Sequence, residues 1–119
     1  MLDRCLLVDL LRHTLVELVR DEQTDLSARQ LSIFLICYTK TDEQTVRGLA
    51  AELCVSKPAV TRALDRLAEF YLIRRRTDPL DRRSVLVQRT KAGAAFLTKV
   101  REILAEAAER SKAKIAPQG

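Results

Sequence analysis

Apolar residues recur at helical spacing in several stretches of this chain, and two shorter stretches alternate as strands do. The first helical stretch runs from Leu2 to Arg20. Asp9, His13, Glu17 and Arg20 form one narrow polar stripe on it, and the rest is mostly Leu and Val. An apolar face that wide exceeds what one small core needs. The pattern therefore predicts packing on the domain on one side and on a partner chain on the other. Thr24-Asp25-Leu26 reads as a linker, and Ser27 with Gln30 as a capping box for a second helix, Ala28 to Thr39. That helix is apolar almost all round (Leu31, Ile33, Phe34, Leu35, Ile36), which predicts the buried centre.

Thr41 to Gln44 is a polar loop, after which Thr45 caps a short third helix, Val46 to Leu53. Ser56 caps a fourth, Lys57 to Phe70, with Pro58 in the first turn where a missing N–H costs little. Val60, Leu64 and Leu67 fall on its core-facing side. Two strands follow, Leu72 to Thr77 and Ser84 to Arg89, joined by the turn-rich Asp78-Pro79-Leu80-Asp81. Thr90 caps a last helix, Lys91 to Ala113, striped with Phe96, Val100, Ile103, Leu104 and Ala107, and Pro117-Gln118-Gly119 reads as a frayed tail. The predicted fold is mainly α: a winged helix-turn-helix with a two-stranded β wing. Residues 26–90 form the DNA-binding part of a single domain, 1–119, framed by dimerisation helices at 1–22 and 91–115.

Charge sharpens this picture once it is placed along the chain. Residues 56–91 hold ten Lys/Arg against four Asp/Glu, a net of +6, so the overall +5 comes from that segment alone. A solvated basic face on an ordinary domain is the bland reading. A basic patch on a helix-turn-helix and a hairpin is the footprint of nucleic-acid binding. With 119 residues, 47% hydrophobic and 31% charged, the chain has the make-up of one soluble domain, able to bury about two thirds of its unfolded surface. Cys5, Cys37 and Cys54 show no CxxC spacing and His13 stands alone, so no metal site is expected. The odd cysteine count and the lack of a secretory pattern point to a reducing cytoplasm, and no apolar run is long enough to span a bilayer. No nucleophile–base pair or phosphate-cradling glycine loop suggests an enzyme, and no cofactor is expected.

In a helix-turn-helix the N-terminal part of the second helix meets base edges. Here that part is Ser56, Lys57, Ala59, Val60, Thr61 and Arg62. Arg62 can fork onto guanine O6 and N7, and Thr61 or the methyl of Ala59 can meet a thymine methyl. Ser56 and Lys57 suit phosphate at the helix N-terminus. Arg66, a turn later, is expected on phosphate or in an ion pair with Asp65 or Glu69. At the hairpin tip Arg82 and Arg83, with Ser84 beside them, suit a narrow minor groove. Asp78 and Asp81 would hold an arginine fork in one orientation. Of Arg74, Arg75 and Arg76 at most two share a face, so one or two should meet the DNA backbone and the other should bridge to an acid.

These residues resemble the MarR/SlyA family of winged-helix regulators. The match lies in the wing signature Asp78-Pro79-Leu80-Asp81-Arg82-Arg83-Ser84-Val85-Leu86-Val87 and in Arg89-Thr90-Lys91-Ala92-Gly93, within a span from about Leu26 to Phe96. The resemblance implies a bacterial homodimer on a pseudo-palindrome, with the recognition helix in the major groove and a wing arginine in the minor groove. It also implies a second C-terminal helix that completes the dimer and helps form a small-molecule pocket. Only one such helix is read here, so a smaller or rearranged dimer is expected. Constitutive or partner-controlled binding then gains weight over a small-molecule effector. Cys54 takes a turn position usually given to Gly, which predicts positive φ at a cost of roughly 1 kcal/mol. Some relatives sense peroxide through a cysteine near the start of the first helix, which makes Cys5 a redox candidate. No tyrosine lies on that helix to assist it, and the residue types favour a small buried hydrophobe.

Two other readings fit the same elements. One is a winged helix used as a protein–protein interaction module, and the other is a nonspecific architectural DNA-binding protein. The first gives no reason to concentrate +6 on the helix and wing. The second would share the salt dependence without base preference.

Overall fold

The computed structural model describes residues 3–21 and 24–115, with side chains through residue 110. Leu2 and the Pro117-Gln118-Gly119 tail lie outside the described residues. The elements run α1 (Arg4–Arg20), α2 (Ala28–Thr39), β1 (Gln44–Thr45), α3 (Val46–Leu53), α4 (Lys57–Glu69), β2 (Ile73–Asp78), β3 (Asp81–Arg89) and α5 (Lys91–Ile115). They form two compact units, one of residues 26–97 and one of residues 1–25 with 98–119.

In the 26–97 unit local capping starts each helix where the sequence predicts. Ser27 Oγ accepts from Gln30 N–H at 3.1 Å while Gln30 Oε1 accepts from Ser27 N–H at 2.9 Å. Thr45, Ser56 and Thr90 accept from Gly48, Ala59 and Gly93 N–H at 2.9, 3.2 and 2.9 Å. The core closes around α2. Ile33, Phe34, Leu49, Val60, Leu64 and Leu67 are fully buried. Phe34 stacks on Tyr38 and meets Phe96 edge-on, at centroid distances of 4.4 and 5.1 Å.

The expected two-stranded wing is present as β2 and β3, and the sheet adds a strand where the sequence reads as loop. It has three strands, in the order β1-β3-β2, because Gln44 and Thr45 pair with Val87 and Leu86. The segment read as a polar loop thus ends in a short strand that fastens the wing's base to the start of α3.

Among the described residues two non-glycine residues hold positive φ, Cys54 (55°) and Tyr71 (60°). Each follows a helix end and closes it in the same way. Val55 N–H reaches Ala50 O and Cys54 N–H reaches Ala51 O; Leu72 N–H reaches Leu67 O and Tyr71 N–H reaches Ala68 O. The expectation for Cys54 holds; Tyr71 carried no such signal. Cys54 is exposed and its backbone is strained for an L side chain. Cys54→Gly should therefore raise stability by about 0.5–1 kcal/mol, since relief of strain outweighs the freer unfolded chain. Urea melts of the two proteins check this as a higher midpoint at unchanged slope.

Two side chains lock the hairpin base to α2. The buried Tyr38 hydroxyl donates to Leu72 O at 2.6 Å and accepts from Thr90 N–H at 3.0 Å. The Arg89 guanidinium donates to Cys37 O and Lys40 O, at 2.9 and 2.6 Å, and so satisfies carbonyls at the end of α2. Burial pushes the Cys37 thiol up to about 11, against a smaller downward pull from Arg89, so it stays protonated at neutral pH.

In the other unit α1 buries only Thr14 and Leu18, and the α5 segment buries Val100 and Ala107. His13 and Glu17, half-buried, line a narrow cleft with Ile103, Glu106 and Arg110. A Lys99–Asp21 ion pair closes one end of the unit. Leu7, Val8, Leu11, Leu15, Val16 and Val19 are exposed, so the predicted surplus of apolar surface on α1 is present. The Cys5 thiol is exposed, which corrects the expectation of a buried hydrophobe.

Candidate nucleic-acid interface

α4 has two faces. Ala59, Val60, Ala63, Leu64 and Leu67 point inward, whereas Lys57, Pro58, Thr61, Arg62, Asp65, Arg66 and Glu69 are exposed. Ala59 (6% exposed) and Val60 (0%) therefore leave the expected base-facing set, because at these positions of a 3.6-residue repeat their side chains are core. The apolar position exposed in the first turn is Pro58. Ser56 Oγ accepts from Ala59 N–H and keeps its O–H to donate, and Lys57, Thr61 and Arg62 are open to a ligand.

Several expected cations prove to be structural. Arg75 bridges to Asp65 at 2.7 Å and ties β2 to α4, the acid bridge foreseen for one of the three strand arginines. Arg66 pairs with Glu69 at 2.8 Å and lies over the Phe70 ring at 4.6 Å. Arg89 is committed to α2. Lys57, Arg62, Arg74, Arg76, Arg82 and Arg83 make no ion pair among the described residues, so the α4 start and the wing carry a cluster of free positive charge. Arg74 and Arg76 occupy the alternate positions to Arg75 on β2 and are exposed.

The wing tip departs from a plain hairpin. Thr77 pairs with Val85 and Asp78 with Asp81, so Arg82, Arg83 and Ser84 have no partners opposite and form a bulge. Such an insertion re-aims side chains out of the ladder. The carboxylates shape this turn; they do not hold an arginine fork, as had been expected of Asp78 and Asp81. Asp78 Oδ1 accepts Leu80 N–H at 2.9 Å, and Asp81 Oδ1 accepts Arg83 N–H at 3.0 Å. Their reach is short, so the backbone N–H two residues on is the nearest donor.

The bulge also turns Arg83 and Ser84 back toward the helix. With Lys57, Thr61, Val85 and Arg47 of α3 they line one concavity of about 240 Å³. Arg47 was missed, because its place on α3 gives no hint that α3, α4 and the wing converge there.

The MarR family model matches residues 26–85, which includes all of α4 and the wing bulge. The chain belongs to the MarR family. Among solved structures, the MarR-fold chain resembles the Thermotoga maritima transcriptional regulator Tm0710 at 26% identity, over 93% of this chain and 71% of that one, with a TM-score of 0.67. RV1404 of Mycobacterium tuberculosis is 28% identical, over 96% and 71%, with a TM-score of 0.66. The S. aureus MepR–DNA complex is 24% identical, over 88% and 86%, and shares the fold with a TM-score of 0.72. A search of curated proteins finds no significant match. Family and fold are those of regulators, not enzymes. No described helix is long and apolar enough to cross a membrane.

Proposed function

We propose that this chain, a MarR-family DNA-binding transcription regulator, works as a cytoplasmic homodimer on a pseudo-palindromic duplex. The α4 helix enters the major groove and the wing arginines enter the minor groove. The observation that carries this reading is the convergence of Lys57, Thr61, Arg83 and Ser84 on one cleft, with Arg62 open beside them. Ser56 and Lys57 meet phosphate at the helix start, Arg62 forks onto guanine, and Thr61 offers its methyl to thymine. Arg66, held by Glu69, sits on the backbone side, and Arg74 and Arg76 add phosphate contacts from β2. The fold shared with a MepR chain solved on DNA supports the docking mode.

Pairing of two copies follows from α1. Leu7, Val8, Leu11, Leu15 and Val19 form an exposed apolar stripe along the helix, a surface that water disfavours and a second copy can cover. Two-fold pairing would set the recognition helices on half-sites about 10 bp apart. The test is selection of duplexes from a random-sequence pool, followed by footprinting across a salt series. The expected result is a two-fold-symmetric site, preferred about a thousandfold or more over unrelated DNA. Equal affinity for all DNA with a steep salt slope would leave an architectural binder, and absence of binding would leave the protein-interaction module.

A further inference from the structure

The wing tip ends in Leu80, which is 95% exposed, the most exposed large apolar side chain among the described residues. It is held firmly. Pro79 presets the turn, Asp78 Oδ1 accepts Leu80 N–H, and Asp78 and Asp81 face each other across the ladder. A leucine fixed at the end of a short turn, without internal contacts, loses little freedom when a partner buries it. Its neighbours say what kind of partner that is. Arg82 and Arg83, both exposed and free of ion pairs among the described residues, stand in the bulge directly after the turn. The Asp78 and Asp81 carboxylates on either side of the turn are engaged by backbone N–H groups, so the surface that complements Leu80 and the two arginines is negative at its edge and apolar within. A minor groove, with phosphates at its rims and sugars and base edges inside, has that character.

We propose that Leu80 is a specificity-determining residue, an apolar wedge that enters the minor groove with the wing arginines and presses on a deformable base step. This rests on the DNA-binding reading above. A wedge reads no hydrogen-bond pattern; it discriminates by the cost of unstacking, which is lowest at pyrimidine–purine steps. It also displaces no counterions, so its contribution is independent of salt.

The probe is a duplex that the wild-type protein selects from a random pool, with the position of the wing located by hydroxyl-radical footprinting. A second duplex carries a GpC step in place of the step under the wing. Leu80→Ser should lose about tenfold in affinity on the selected duplex, the scale of a leucine returned to water, with an unchanged salt slope. On the GpC duplex it should lose little, and Leu80→Met should keep most of the affinity on both. Each variant should melt as the wild type does, because the side chain packs on nothing. Unchanged binding by Leu80→Ser, an equal loss on both duplexes, or a reduced salt slope would each overturn the wedge. If the wild type selects no duplex at all, the DNA-binding reading falls first and the wedge with it.

Discussion

Gly93→Ala is expected to cost about 3 kcal/mol or more, enough to leave a marginal domain partly unfolded. Gly93 lies in the first turn of α5, where an alanine would ordinarily favour the helix. Here a β-carbon would overlap the Tyr38 hydroxyl and the Leu72 carbonyl oxygen. Neither group can step aside cheaply. The hydroxyl is buried and bonded to Leu72 O and Thr90 N–H, and the carbonyl belongs to the backbone entering β2. Making room means breaking those bonds or pushing α5 off the hairpin base. Urea unfolding should show the loss as a lower midpoint. A double-mutant cycle with Tyr38→Phe checks the cause: removing the hydroxyl takes away the tightest of three overlaps and leaves those with the ring Cζ and Leu72 O, so Gly93→Ala should cost less, though still something, in that background. Additive losses would show that the hydroxyl is not what excludes the β-carbon.

Arg62→Ala and Arg83→Ala should both weaken DNA binding, but in different ways. Arg62 is exposed mid-way along the outer face of α4 and makes no ion pair among the described residues, so its fork is free for a base edge. Its loss should relax preference at one or two base positions by about 1–3 kcal/mol and leave binding elsewhere in the site intact. Arg83 lies in the wing bulge, and in the proposed docking it would meet phosphate and not base edges. Its loss should lower affinity for all duplexes and reduce the salt slope by about 1. The measurement is titration of both variants against the selected duplex and single-position changes of it, across a salt series. Equal loss by Arg62→Ala on every sequence would remove that residue from base readout.

Much of this was legible in the chain because the determining physics is local. Ser27 with Gln30, Thr45, Ser56 and Thr90 cap the helices they precede in sequence, since a cap needs only a hydroxyl three residues from a free N–H. The positive φ of Cys54 was readable for the same reason. What was misread depended on a partner far along the chain. Strand β1 is two residues long and exists only because β3, some forty residues on, is there to pair with it. Ala59 and Val60 looked available because the count from Ser56 places them in the first turn, yet the core lies on their side of the helix. Arg89 counted as one more cation of a basic segment until the end of α2 supplied two carbonyls for it.

The sequence by itself thus determined the helix-turn-helix, its caps, the basic segment and the surplus apolar face of α1. These follow from periodicity and composition, which act over one or two turns of chain. Only the tertiary structure decided which cations are free. Asp65 and the α2 carbonyls take Arg75 and Arg89 out of reach and Glu69 holds Arg66 to one side, while the register of β2 on β3 pushes Arg82 and Arg83 out as a bulge. A charge on a chain becomes a contact for DNA only when no nearer acid or carbonyl claims it, and those distances are set by the fold.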